Sequence, residues 1–119
     1  MILFLTKDLM IQSAVSSVAR ESGKKFNATT KPHRLADLAG DADVFLIDLQ
    51  LPELEIDELL SVLSGIENRP RTIAFAQHVN VDLLASADSE FIDQVMTRGQ
   101  FTKSIPNIVA AVPEPKEST

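Results

Sequence analysis

The chain has 119 residues, enough for one compact domain with a substantial core and too few for two. It contains no cysteine and two histidines, which excludes disulfides, thiolate catalysis and a conventional structural zinc site. A net charge of −6 argues against direct nucleic-acid binding, and no apolar run approaches the roughly 20 residues of a membrane span.

The N-terminal part of the chain alternates short apolar runs with amphipathic segments. Residues 2–5 are predicted to form a first buried strand. Apolar residues then recur at helical spacing and predict a helix that ends near Gly23. This stripe comprises Ile11, Ala14, Val15, Val18 and Ala19. A further strand is expected over residues 26–30, closed by Pro32, and a short helix ends at Gly40.

A continuous apolar run from Val44 to Ile47 leads directly into Asp48, and Pro52 follows four residues later. Such a run is typical of a strand that is buried on both faces. Since α/β proteins bind ligands beyond the carboxyl ends of their strands, the Asp48 carboxylate is a candidate functional group.

The same alternation continues to the end of the chain. The predicted elements are a helix over 56–63, a strand over 72–76, a helix over 81–85, a strand over 92–97 and a helix over 105–112. A domain over residues 1–112 is therefore expected. Residues 113–119 carry no apolar anchor and are predicted to form a flexible tail.

Five repetitions of strand and helix predict an α/β fold with a doubly wound parallel sheet. The flavodoxin-like strand order 2-1-3-4-5, with helices on both faces in a three-layer sandwich, fits five strands. No Gly-x-Gly-x-x-Gly or Walker-type loop follows the first strand, which disfavours the nucleotide-binding versions of this architecture.

Four segments carry a resemblance to a known family. Residues 2–23 match a pattern of strand, acidic pair, helix and glycine, and Asp48 with Pro52 forms an Asp-x-x-x-Pro motif. Residues 73–78 are similar to a strand ending in Thr-Ala-His, and residues 96–101 to Thr-Lys-Pro-Phe. In this order the segments resemble the chemotaxis-type receiver domain of two-component response regulators, whose phosphoacceptor position falls on Asp48.

The chain departs from this family where a metal would bind. The resemblance implies attack of an aspartate on a phosphoryl group with the help of magnesium, which prefers carboxylate and other oxygen ligands. The acidic-pair positions fall on Thr6 and Lys7, and neither supplies a carboxylate. Asp8 is one residue further on and is expected to point in a different direction. We therefore expect no magnesium binding and no cofactor.

The remaining functional positions of the family are altered as well. The switch hydroxyl falls on Ala76, the lysine position on Arg98 and the switch aromatic on Val95. Gly99 takes the place of the proline that follows the family's lysine. Asp48 alone keeps the family residue among these functional side chains.

These departures favour a degenerate receiver, or pseudo-receiver, which is not an enzyme and signals through protein contacts. In this interpretation Asp48 forms a permanent ion pair with Lys7 or Arg98. The first alternative is an atypical but working receiver that a histidine kinase phosphorylates on Asp48, with Lys7 and Arg98 replacing the metal. The second is a small flavin- or nucleotide-binding protein of flavodoxin-like fold.

The expected partners are proteins, either a histidine kinase or an output domain. By the resemblance, contacts or a homodimer use one face within residues 80–112, made of the 80–88 helix, Val95, Met96 and the 104–112 helix. The N-terminus lacks the pattern of a signal peptide, so a cytoplasmic location is expected, with neither nucleic acid nor membrane as a direct partner.

Overall fold

Five strands and five helices alternate along residues 1–113, the part of the chain that a computed structural model describes. The strands are β1 (Ile2–Leu5), β2 (Phe26–Thr29), β3 (Val44–Asp48), β4 (Arg71–Ala76) and β5 (Gln94–Thr97). The helices are α1 (Leu9–Glu21), α2 (His33–Leu38), α3 (Ile56–Ser64), α4 (Val81–Ala87) and α5 (Arg98–Ala110). None of these helices has the length and apolar content to cross a membrane. The tail was predicted over residues 113–119, and residues 114–119 lie outside the described part of the chain.

The strands form one parallel sheet in the order β2-β1-β3-β4-β5, which confirms the predicted doubly wound, flavodoxin-like fold. β3 lies at the centre, where Ile47 is paired with Leu5 and Asp48 with Phe75. Ala76 is paired in turn with Thr97 on β5. Because all strands run in the same direction, their last residues meet at one side of the sheet, here called the carboxyl edge.

Each face of the sheet has its own apolar core. One core packs α1 and α5 against three fully buried aromatic rings, those of Phe4, Phe75 and Phe101. Phe75 and Phe101 stack with their ring centroids 4.2 Å apart, and Phe4 lies about equally far from both, at 6.0 and 5.8 Å. The other core contains Phe45 and the buried residues of α2, α3 and α4. α1 and α5 are thus held on the same face, with both N-termini at the carboxyl edge.

α5 begins at Arg98, well before the predicted stripe that starts at Ile105. Thr97 and Gln100 form a capping box, in which the Thr97 hydroxyl accepts from the Gln100 N–H and the Gln100 side chain accepts from the Thr97 N–H. The box satisfies two backbone donors of the first turn and starts the helix directly after β5. It therefore places Arg98 at the first position of α5.

β5 begins at Gln94, two residues later than predicted. Ile92 is buried but lies in the turn before the strand, where its N–H donates to the Ser89 carbonyl. The Asp93 carboxylate accepts the Thr72 N–H at 2.7 Å. This hydrogen bond lies one residue before Ile73 and Gln94, the first residues that pair between β4 and β5.

Candidate functional site at the carboxyl edge

Asp48 is nearly buried at the end of β3, with 5% of its surface exposed. The Thr6 hydroxyl donates to one carboxylate oxygen at 2.8 Å, and the Gln50 N–H donates to the other at 3.0 Å. The Thr6 oxygen also accepts the Asp8 N–H at 3.0 Å, which directs the hydroxyl proton toward Asp48. Both oxygens of the buried carboxylate are therefore satisfied by uncharged donors.

The expected ion pair of Asp48 with Lys7 or Arg98 is wrong for this structure. Within residues 1–113, no cation lies within ion-pair distance of the Asp48 carboxylate. Arg98 instead donates to the outer carboxylate, that of Asp8, at 2.6 Å. Asp8 and Arg98 are each about one-third exposed, so their pairing costs less dehydration than a guanidinium placed against Asp48.

Asp8 has two roles at the carboxyl edge. One of its oxygens caps α1 by accepting the N–H groups of Met10 and Ile11 at 3.0 and 3.3 Å. The other oxygen binds Arg98 at the start of α5. The hydrogen bond from Arg98 is the main reason why the pKa of the Asp8 carboxyl lies below its ordinary value, against the opposing effect of partial burial. Asp8 therefore joins the N-termini of α1 and α5 by binding Arg98, which is 90 positions away in the sequence.

Lys7 lies beside a cleft of about 310 Å³ that opens onto the Asp48 carboxylate. The cleft is lined by Lys7, Asp8, Asp48, Gln50, Pro52, Gln77 and Arg98. The Lys7 side chain is exposed and forms no ion pair with any described residue. The structure thus brings the acidic-pair, phosphoacceptor and lysine positions of the predicted site together around one cleft.

Ala76 ends β4 fully buried and offers no hydroxyl to this cleft. The next residue, Gln77, donates its N–H to the side-chain oxygen of Gln50 at 2.6 Å. Gln50 therefore ties the loop after β3 to the loop after β4, while its own N–H binds Asp48. Sequence reasoning missed this role, although the place of Gln50 inside the Asp-x-x-x-Pro motif was the available signal. Val95, at the switch-aromatic position, is half-buried against the core that contains Phe45.

Solved structures of receiver domains are similar to this chain over nearly its whole length. A response-regulator receiver domain from Bermanella marisrubri superposes with a TM-score of 0.75 at 14% identity, covering 93% of this chain and 95% of that one. A receiver domain from Rhodospirillum rubrum gives 0.67 at 18% identity, covering 98% and 99%. The receiver domain of a sensor histidine kinase from Pseudomonas aeruginosa, solved with magnesium in its active-site cleft, gives 0.73 at 16% identity, covering 93% and 94%.

No protein-family model and no curated protein matches the chain. At identities this low, the structural similarity establishes the fold. The chain has the fold of response-regulator receiver domains, as the resemblance of its four segments predicted.

The side chains around Asp48 do not fit the magnesium ion that this fold implies. Magnesium requires several oxygen ligands in near-octahedral geometry. Here the Thr6 hydroxyl donates its proton toward Asp48, Lys7 brings a positive charge, and Asp8 is bound by Arg98. Within residues 1–113 no three His, Asp or Glu side chains are grouped as metal ligands would be.

Replacing Asp8 separates its two roles. Asp8→Ala removes both the cap and the ion pair, and we expect it to lower the free energy of unfolding by about 1–3 kcal/mol. Asp8→Asn keeps a good capping residue and loses only the partly exposed ion pair, so a loss below about 1 kcal/mol is expected. Urea unfolding monitored by circular dichroism measures both values. Equal losses in the two variants would show that the cap contributes nothing.

The contribution of the ion pair should also depend on pH. Because the pKa of Asp8 in the folded protein lies below the ordinary 3.8, the stabilisation is complete above that pH and is lost as the pH falls through the folded value. The stability difference between the wild type and Asp8→Asn should therefore be constant near neutrality and shrink below about pH 4.

Proposed function

We propose that this protein is a receiver-like signalling domain that acts through protein–protein contacts without conventional magnesium-dependent phosphotransfer. It is not an enzyme, it binds no cofactor, and it works in the cytoplasm. The observation that carries the proposal is the hydrogen bond from the buried Thr6 hydroxyl to Asp48 at 2.8 Å. At the position where the family has a carboxylate for the metal, this chain has a neutral donor that satisfies the phosphoacceptor carboxylate directly.

The ion pair between Asp8 and Arg98 supports a single, fixed state of the domain. It joins the N-termini of α1 and α5 at 2.6 Å, and the buried rings behind it pack both helices on the same face. In a working receiver, a phosphoryl group and a metal would change the contacts at this edge. Here protein side chains already make the contacts, so the domain presents a constant surface to its partners.

The proposed contact face consists of α4, β5 and the C-terminal part of α5. Val95 and Met96 of the edge strand β5 are half-buried there, and each packs against one of the two cores. An output domain, a histidine kinase or a second copy of the chain is the proposed partner on this face. The partner would recognise the folded domain itself rather than a phosphorylated form of it.

Beryllofluoride with magnesium provides the direct test, because together they mimic an aspartyl phosphate in working receiver domains. We expect the ¹H–¹⁵N NMR spectrum of this protein to remain unchanged when both are added, since Thr6, Lys7 and Ala76 supply neither the carboxylates nor the hydroxyl of an intact site. A receiver domain with an intact site, measured under the same conditions, is the positive control. Shifts centred on the Asp48 and Gln50 amides would overturn the proposal.

One observation favours a second candidate, phosphorylation of Asp48 without a metal. The carboxylate adjoins an open cleft of about 310 Å³ that Lys7 also lines. An Asp48 oxygen would attack the phosphorus of a phosphohistidine, the N–P bond would break, and the imidazole, already protonated on its other ring nitrogen, would leave as neutral histidine. Lys7 would then offset the charge that develops on the phosphoryl oxygens.

Intact-mass spectrometry after incubation with a histidine kinase or a small phosphodonor tests this candidate. A gain of one phosphoryl group that is absent in Asp48→Asn would support it. No gain in the wild type, with a working receiver domain phosphorylated in parallel, would rule it out.

A further inference from the structure

A groove of about 670 Å³ lies next to the Asp48 cleft, between the loop after β4 and the first turns of α5. It is lined by Gln77, His78, Val79, Arg98, Gly99, Thr102 and Lys103, and we call it the basic groove. It contains two permanent cations, one histidine and no acid, in a chain that carries 17 acidic residues against 11 Lys and Arg. The groove is therefore a local exception to the acidic character of the protein.

The two cations of the basic groove differ in how they are engaged. Lys103 is exposed and forms no ion pair with any residue in the described part of the chain. Arg98 lines both the groove and the Asp48 cleft, and Asp8 is its one ion-pair partner among residues 1–113. An acidic group entering the groove would thus meet Lys103, which has no ion-pair partner among the described residues, and Arg98, whose partner Asp8 is partly exposed.

Exposed apolar side chains collect at the same edge of the sheet. Leu9, Met10, Val79 and Val81 are the large hydrophobic residues that are strongly exposed within residues 1–113, at 67% to 84%. Val79 lines the basic groove, Val81 begins α4 beside it, and Leu9 and Met10 directly follow Asp8. Val79 thus adds exposed apolar surface to the groove that Arg98 and Lys103 line, and apolar surface bordered by charge is typical of a protein interaction site.

We infer that the basic groove binds an acidic amphipathic helix of a partner protein. Carboxylates of the partner would contact Arg98 and Lys103, and apolar side chains at helical spacing would cover Val79 and Val81. Two cations can pair with the carboxylates of one short peptide, whereas a polynucleotide needs a longer basic surface than this acidic chain offers, which favours a peptide. The inference deepens the proposed function, on which it rests, by locating a contact site at the carboxyl edge.

Arg98 couples this groove to the Asp48 cleft. A partner carboxylate competes with Asp8 for the same guanidinium, so removing the Asp8 charge should release Arg98 toward the groove. Asp8→Asn is therefore expected to tighten binding severalfold, although residue 8 does not line the groove.

The test uses the full chain, labelled with ¹⁵N, and a synthetic amphipathic helical peptide. The peptide has Leu at helical spacing along one face and Glu at the positions beside that face. We expect amide shifts concentrated in residues 77–79 and 98–103, and an affinity that falls with added salt. Lys103→Glu should weaken binding about tenfold. Lys25→Glu is the matched control, because Lys25 is exposed just before β2 at the opposite edge of the sheet and should leave the affinity unchanged.

Several outcomes would overturn the inference. The absence of shifts with the acidic peptide, or equal shifts with a peptide in which Lys replaces each Glu, would do so. Equal weakening by Lys103→Glu and Lys25→Glu would show a diffuse charge effect instead of a groove. The beryllofluoride spectrum is a separate measurement. If beryllofluoride causes no shifts and the peptide also does not bind, this inference is overturned and the proposed function stands.

Discussion

Thr6→Asp combined with Lys7→Asp should convert this protein into one that binds magnesium. The substitutions place two carboxylates beside Asp48 and remove the lysine charge, which supplies the oxygen ligands that magnesium requires. Without metal, the variant should be less stable by about 1–3 kcal/mol, because a buried carboxylate replaces the hydroxyl that donates to Asp48. Thermal unfolding with and without magnesium measures both effects.

Magnesium should restore the stability of this variant by mass action. At a concentration ten times the dissociation constant, the free energy of unfolding should rise by about 1.4 kcal/mol, while the wild type should not respond. Thr6→Asn with Lys7→Asn is the matched control, since it changes the same side chains without adding charge. Adding Ala76→Thr to the double Asp variant should further permit a response to beryllofluoride.

The double Asp variant also tests the proposal that Thr6 and Lys7 prevent magnesium binding. If the double Asp variant does not bind magnesium, then the arrangement of the carboxylates at the carboxyl edge, and not only their absence, prevents metal binding. The interpretation of Thr6 and Lys7 as the decisive departures would then be wrong.

Phe101→Ala should cause a large loss of stability, about 3–5 kcal/mol, because Phe101 is fully buried. Its ring stacks on Phe75 at 4.2 Å and contacts Phe4 at 5.8 Å, so the truncation leaves a cavity between α5 and the sheet. Such a loss is a substantial part of the stability of a domain of this size and should lower the Tm by more than about 10 °C. Thermal unfolding followed by circular dichroism measures the change.

The effect of Phe101→Ala should extend to the site, because this ring lies one helical turn after Arg98. Amide hydrogen exchange in the first turns of α5 should become faster than in the rest of the domain. Phe45→Ala is the control, since Phe45 is equally buried in the core on the other face of the sheet. If both variants accelerate exchange in α5 alike, Phe101 has no particular role in holding that helix.

The patterns that predicted the fold were local. The run from Val44 to Ile47 is buried along its whole length, as a strand covered on both faces requires. The stripe that includes Ile11, Val15 and Ala19 supplies the buried face of α1. Alternation of such segments leaves few ways to build a parallel sheet, and among these the flavodoxin-like order was the natural candidate for five strands.

Element boundaries were less predictable where side chains form caps and turns. The start of α5 depends on hydrogen bonds between Thr97 and Gln100 instead of apolar spacing, so the stripe from Ile105 onward located only its later part. The capping-box spacing is visible in the sequence and could have extended the prediction. The start of β5 follows a hydrogen bond from the Thr72 N–H, within β4, to the Asp93 carboxylate, and because the two residues are 21 positions apart they gave no local signal.

The sequence by itself determined the fold, the position of Asp48 at a strand end and the absence of acidic residues at positions 6 and 7. These features depend on residue type and on short-range periodicity. Only the tertiary structure decided which charged side chains pair with each other, because residues that are far apart in the sequence meet at the carboxyl edge. There the partly exposed Asp8 binds Arg98, and Asp48 is left to the neutral donors of Thr6 and Gln50. Dehydrating a guanidinium beside a buried carboxylate is costly, and an outer carboxylate was within its reach.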